Sequence, residues 1–158
     1  LRARKDGKIR FIGFSAHSVE AALMAMGRFD FDTVLFPINF VCFLKAGFGP
    51  QVVAKAKEKK MGILALKALA RQRWPEESMR KEWPKCWYQP ILDLEEAELS
   101  LRFTLSKPVT AAVPPGDVRL LRRALELAHR FAPLQPEDEA RLRRLAANLN
   151  PLFTLHST

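Results

Sequence analysis

Short apolar runs rich in β-forming residues alternate with helical stretches along this chain. That alternation constrains the fold more than any other feature. KIRFIGFS (8–15) reads as a short buried strand. FDFDTVLFPIN (29–39) supplies a second, Thr33 to Ile38, apolar on both faces. MGILALKALA (61–70) is a third, and PVTAAVPPGD (108–117) a short fourth, over 109–113, that stops at Pro114-Pro115. Strands apolar on both faces and separated by helices imply a parallel sheet covered by helices. Two architectures satisfy that, a doubly wound sheet and part of a TIM barrel. No GxGxxG follows any strand, so the dinucleotide fingerprint of the doubly wound fold is absent. Four βα units make half of an eight-unit barrel.

The intervening segments carry helix signals. Ser18 is placed to cap a helix whose apolar stripe is Val19, Ala22, Leu23 and Met26. Gly49-Pro50 opens a helix over 50–60, with Pro at its first position and cations in KAKEKK at its end. Leu94 to Leu105 is helical, with Leu94, Ala97, Leu101 and Leu105 expected along one face. Asp117 caps a helix over 118–130, and Pro136 starts a last one over 136–147. Residues 71–92 show no clean period and hold Trp74, Trp83 and Trp87, so a long loop with a turn or two of helix is expected there. LRARKDGK at the start reads as the last turn of a helix closed by Gly7, as if cut from something longer.

Composition narrows the function classes. The chain of 158 residues is 48% hydrophobic and 27% charged, as soluble globular domains are. No window approaches the roughly 18 apolar residues of a membrane span, and no signal peptide is recognisable. Cys42 and Cys86 lie far apart without CxxC spacing, which argues against a zinc site or disulfide scaffold and fits a reducing cytoplasm. The net charge of +9 attracts anions, whether nucleic acid or a phosphorylated cofactor. The basic residues are dispersed, with small groups at Arg119, Arg122, Arg123 and at Arg141, Arg143, Arg144. No aromatic-basic platform accompanies them, so solvated helix faces account for most of them and nucleic acid is disfavoured.

Four strings taken together resemble the second half of the aldo-keto reductases. GKIRFIGFSAHS is similar to that family's fifth strand, GKIRxIGxSN or GFSxH in a divergent branch. FDTVLFPIN resembles the sixth, DxVQxPYN. KKMGILALKALA resembles the seventh, GVxxMKPLA in the divergent branch. LSLRFTLSKPVTAAVPPG resembles the helix and eighth strand, ALRWxLSxPxVTxxIPG. They occur in family order and cover nearly the whole chain. The resemblance implies an α/β fold in which residues 1–158 form the second half of a (β/α)8 TIM barrel, four βα units plus a C-terminal helix, with the N-terminal half absent. It also implies a cytoplasmic, NADPH/NADP-dependent oxidoreductase that reduces a small carbonyl substrate.

In a TIM barrel the ligand sits at the C-terminal ends of the strands. Those ends are Ser15 to His17, Pro37 to Asn39, Leu66 to Leu69 and Val113 to Asp117. Buried polar groups there must be satisfied locally or by a ligand. By resemblance, Ser15 hydrogen-bonds the nicotinamide carboxamide; read alone, it is a helix cap, a task Ser18 already performs. Asn39 ends the second strand among the expected cofactor contacts. Lys67 matches the MKP lysine and meets the cofactor pyrophosphate, or else snorkels from the barrel mouth. Gly116 and Asp117 lie where the family places its adenosine-phosphate contacts at a helix N-terminus. Asp117 is itself negative, however, and Pro115 stands where the family has a basic contact. Arg119, Arg122 or Arg123 would serve the 2′-phosphate instead. His17 fits the GFSxH branch, although a lone His is more often structural.

Three family contacts are replaced by apolar residues: Asn by Ala16, Gln by Leu35, and the stacking Tyr by Leu66. The catalytic Tyr, Lys, Asp and His of the family belong to its first half. Tyr88 matches none of them, and no other nucleophile motif or paired carboxylates stand in. No catalytic residue and no metal ligand is therefore expected, and no reductase activity from the chain alone. The alternative is a non-catalytic scaffold or interaction protein. An isolated half has uncovered strand edges and an uncovered apolar inner face, which leaves three outcomes: a missing N-terminal half-barrel, a second copy that closes a pseudo-barrel, or a poorly folded fragment. The Trp-rich loop would line the substrate pocket or pin the barrel rim, and Lys85 next to Cys86 is expected to lower its thiol pKa.

Overall fold

A computed structural model describes residues 1–155. The chain opens with one helical turn, α1 (Arg2–Lys5), closed by Asp6 and by Gly7 at φ +71°. A residue in that left-handed region ends a helix at little cost when it is glycine. Strands β1 (Gly13–Ser15), β2 (Thr33–Pro37), β3 (Gly62–Leu66) and β6 (Ala111–Ala112) form one parallel sheet in the order β1-β2-β3-β6. Helix α2 (Val19–Arg28) joins β1 to β2, and α3 (Phe40–Leu44) with α4 (Pro50–Glu58) joins β2 to β3. Between β3 and β6 lie β4 (Ala70–Arg73), a 3-10 turn (Glu77–Glu82), β5 (Tyr88–Pro90) and α5 (Leu94–Leu105). Helices α6 (Val118–His129) and α7 (Pro136–Ala147) follow.

The alternation of side chains along the strands builds two unequal faces. Val34, Phe36, Ile63 and Ala65 are fully buried in one core with Ala22 and Met26 of α2 and Val52, Val53 and Ala56 of α4. Leu35, Leu64 and Leu66, on the opposite face, are only partly covered. A second core packs Phe40 and Val41 of α3 against Leu101 and Phe103 of α5, Leu127 of α6 and Leu142 of α7. The C-terminal helices thus carry a core of their own below the sheet, which is how half a barrel buries enough apolar surface. The edge strands β1 and β6 each pair on one side among the described residues.

Several expectations need correction. The first strand covers only Gly13–Ser15 of 8–15, and Phe11 is 65% exposed. The fourth covers only Ala111–Ala112 of 109–113. Both are sheet edges, where half of the ladder hydrogen bonds are missing, so the ordered strand is short. Helix α5 has the expected ends, capped by Asp93, but Leu94 is 57% exposed. Its buried surface is a wide arc through Ala97, Leu99, Ser100, Leu101, Phe103 and Thr104, because α3, α6 and α7 all pack on it. Residues 71–92 contain the expected helical turn, but they are framed by an antiparallel pair, β4 with β5, with Gln72 hydrogen-bonded to Gln89. Ser18, Asp117 and Pro136 hold the positions expected of them.

Candidate functional site

Each parallel strand delivers a polar residue or a turn to the same edge of the sheet. β1 ends at Ser15, which is exposed, and the next amide, Ala16 N–H, donates to Leu35 O at 3.2 Å. His17 follows, its ring 5.5 Å from that of Phe153. Partial burial, and then the nearby Lys67 cation, lower its pKa. Both causes favour the neutral imidazole.

Asn39 follows β2 and is 1% exposed. It caps α3 by accepting from Val41 N–H (3.0 Å) and Cys42 N–H (3.1 Å). Its Nδ2 donates to Lys67 O (3.1 Å) and Ala70 O (2.6 Å). An Asn has two acceptor positions and two donor hydrogens, and all four are used. The side chain ties the end of β2 to the turn between β3 and β4, and it has no hydrogen bond left for a ligand. Two further buried hydroxyls brace this edge from α5: Ser100 Oγ donates to Ala68 O and Thr104 Oγ1 to Ile38 O.

Lys67 stands at that turn with φ +70°, in the left-handed region that a non-glycine residue rarely adopts. Two acceptor bonds at its carbonyl, from Asn39 Nδ2 and Ala70 N–H, hold it there. Its ammonium lies 4.6 Å from the centre of the Tyr88 ring and 5.1 Å from that of Trp87. Cation–π attraction of this kind replaces water around the cation in part. Burial lowers the Lys67 pKa and pushes the Tyr88 hydroxyl well above its usual range. The β4–β5 pairing that the sequence did not reveal is what brings Tyr88 and Trp87 here. Beside them opens a cleft of about 150 Å³, lined by Lys67, Leu69, Tyr88, Pro114, Pro115 and Leu121 among others.

Beyond β6, Gly116 is exposed and Asp117 is 7% exposed. The Asp117 carboxylate caps α6 by accepting from Arg119 N–H at 2.9 Å. It also takes a two-pronged ion pair from the Arg119 side chain, Nε at 3.0 Å and Nη2 at 2.9 Å. The Arg119 guanidinium lies 3.9 Å from the centre of the Trp83 ring and donates to Glu82 O, which pins the Trp-rich loop to α6. Arg123 donates to Leu92 O. The positive end of α6 is thus matched by the chain's own carboxylate. Cys86 departs from expectation: burial, then the Asp117 charge, raise its thiol pKa, outweighing the nearby cations. Cys42 and Cys86 are both buried free thiols.

The Arg119 pair holds the Asp117 carboxyl down at about 2, against 3.8 when free. A depressed carboxyl stabilises the fold above its unfolded value and loses that contribution as pH falls through the folded one. Asp117→Asn is therefore expected to lower the urea midpoint at pH 6. The gap to the unsubstituted chain should narrow between about pH 4 and pH 2. An equal gap at pH 6 and pH 2.5 would show that the pair contributes nothing.

Two of the five expected cofactor residues, Asn39 and Lys67, are joined by a hydrogen bond, and Lys67 adjoins His17 electrostatically. Ser15 sits at the outer edge on β1. Gly116 and Asp117 belong to a separate group with Arg119 and Trp83. Among the described residues no group of three or more His, Cys, Asp or Glu is placed to hold a metal ion. No helix of the described residues is long and apolar enough to cross a membrane.

No known family profile matches this chain, and no curated protein does. Solved structures do match. The aldo-keto reductase AKR11C1 from Bacillus halodurans, in its holo form, superposes with a TM-score of 0.60 at 15% identity, over 95% of this chain and 55% of that one. The thermostable aldo-keto reductase Tm1743, in complex with the inhibitor epalrestat, gives 0.56 at 18% identity, over 91% and 51%. The glycerol dehydrogenase AKR11B4 from Gluconobacter oxydans gives 0.55 at 19% identity, over 99% and 55%. The chain spans about half the length of these structures. Likeness at such identities is a likeness of fold, and it agrees with the parallel sheet and its helices: this chain has the α/β fold of about half of an aldo-keto reductase barrel.

Proposed function

We propose that residues 1–158 are the cofactor half of a cytoplasmic, NADP-dependent carbonyl reductase, completed by an N-terminal half-barrel that carries the proton donor. The observation that supports this best is the pair of free parallel edges, β1 and β6, on a sheet matched to half of an aldo-keto reductase barrel. Two buried free thiols favour a reducing compartment. The partners are then the nicotinamide cofactor, a small carbonyl compound and the missing half-barrel, or a second copy in its place. The charge does not argue for nucleic acid, since Arg71, Arg102, Arg119 and Arg141 are each paired with a carboxylate of this chain.

The strand-end residues fit part of a nicotinamide dinucleotide. Ser15, exposed at the end of β1, can donate to a carboxamide. Lys67 offers a cation to the pyrophosphate. Gly116 leaves room for a ligand, since a Cβ there would meet nothing within 4 Å. Asn39 and Asp117 fit less well, because both are satisfied within the chain, and Arg119 is held by Asp117. Arg122, exposed on α6, is the remaining cation of that helix's first turns for a 2′-phosphate. A nicotinamide held by these residues would supply hydride chemistry, with Ser15 and Lys67 orienting it and the proton donor lying outside this chain. A second reading is a non-catalytic scaffold, favoured by the apolar Leu35, Leu64 and Leu66 on the partly covered face. NADPH fluorescence titration separates the two. Saturable binding, weakened by Ser15→Ala, is expected; no binding to the complete protein would favour the scaffold. The purified 158 residues should turn over no aldehyde with NADPH.

A further inference from the structure

The cleft beside the end of β3 is apolar on nearly every side, yet it carries one cation. Leu69, Leu101, Leu105, Val113, Leu121 and Leu125 line it together with Lys67 and Tyr88. Lys67 is the one residue of that lining charged at neutral pH. The ion pairs among the described residues all use other cations. Lys67 Nζ instead faces ring surfaces, 4.6 Å from the centre of Tyr88, which lines the same cleft. A cation drawn partly out of water and matched only by rings favours an incoming anion more than a hydrated surface lysine does.

The shape and chemistry of the lining define the guest. A cleft of about 150 Å³ matches the apolar cavities that take up a benzene-sized molecule. One ammonium, with the Tyr88 hydroxyl in the same lining, suits a singly charged carboxylate. The nearest helix N-terminus adds no donor, since Asp117 occupies it. We propose that this cleft binds small monocarboxylates with an apolar tail about the size of a phenyl ring, the tail against the leucines and the carboxylate on Lys67. This goes beyond the cofactor reading and needs no nicotinamide.

The test titrates the 158-residue chain, free of nucleotide, with 3-phenylpropanoate and with 3-phenyl-1-propanol. Calorimetry and tryptophan fluorescence follow binding, since Trp87 lies 5.1 Å from Lys67 Nζ. The acid is expected to bind roughly tenfold tighter than the alcohol. Lys67→Met should bring the two within about twofold of each other. Leu125 is 55% exposed at the rim, so Leu125→Glu leaves the core intact while setting a like charge in the lining. It should weaken the acid about tenfold and leave the affinity for the uncharged alcohol within about twofold. Equal affinities for acid and alcohol would overturn the proposal. So would an acid affinity unmoved by both substitutions, or no saturation below about 10 mM. Loss of NADPH binding alone would count against the cofactor reading and not against this one.

Discussion

Asn39→Ala should destabilise the chain by about 3–5 kcal/mol, read as a fall in the urea midpoint of roughly 2 M. The substitution takes the side-chain partner from three buried backbone groups, the amides of Val41 and Cys42 and the carbonyl of Ala70, and one of two bonds from the Lys67 carbonyl, which keeps Ala70 N–H. Each such group costs about 1–3 kcal/mol when water cannot reach it. An exposed cap in the same chain gives the contrast. Ser18→Ala removes a single bond to Ala21 N–H at the surface, and about 1 kcal/mol is expected. Asn39→Asp separates the two tasks of the side chain. It keeps the cap on α3 but turns a carboxylate toward the Lys67 and Ala70 carbonyl oxygens, so it should be nearly as damaging as Asn39→Ala. If Asn39→Asp were close to neutral, the link from β2 to the β3–β4 turn would carry no weight. The φ +70° backbone at Lys67 would then have to be held by other contacts.

The same residue shows how far the sequence could be read. Asn39 was legible as a polar residue at a strand end, but the carbonyls to which it donates lie 28 and 31 residues away, and no local pattern reveals them. Helix ends were legible because caps act within three or four residues: Ser18, Asp117 and Pro136 all stand where local chemistry puts them. The parallel strands were legible as apolar runs, except at the edges. There, each strand pairs on one side only among the described residues, and the ordered ladder is short. The β4–β5 pairing was hidden because Arg71, Gln72 and Gln89 break the apolar alternation; Gln72 bonds Gln89 across the pair, and Arg71 ties β4 to Glu96 of α5. Missing that pairing meant missing the ring surfaces under Lys67. Cys86 failed for the same reason. Its sequence neighbour Lys85 suggested a lowered pKa, whereas burial and the Asp117 charge, brought from 31 residues away by the fold, raise it.

Gly13→Ala is expected to loosen β1 by about 1–3 kcal/mol and, with it, the residue on which the nicotinamide reading leans most. A Cβ on Gly13 would stand 2.1 Å from Thr33 Oγ1 and 3.0 Å from Thr33 O, its ladder neighbour on β2. Thr33 fills the space across the strands: its Cγ2 would lie 3.1 Å from a Cβ on Gly62, on the other side. β1 is only three residues long and pairs on one side, so it has few bonds with which to resist. Thr33→Ala in the same chain removes Oγ1 and Cγ2 and leaves the contacts with the carbonyl at 3.0 Å and with the Cβ at 3.3 Å. The double variant should therefore be more stable than the sum of the single effects predicts, by about 1 kcal/mol. Ser15 lies two residues beyond Gly13 and shares its face of the sheet. NADPH affinity, where the cofactor reading holds, should fall in Gly13→Ala and recover in the double variant. Strict additivity of the two substitutions in urea denaturation would mean that Thr33 does not set the distance between β1 and β2. Recovery of stability without recovery of NADPH affinity would mean that Ser15 does not hold the cofactor.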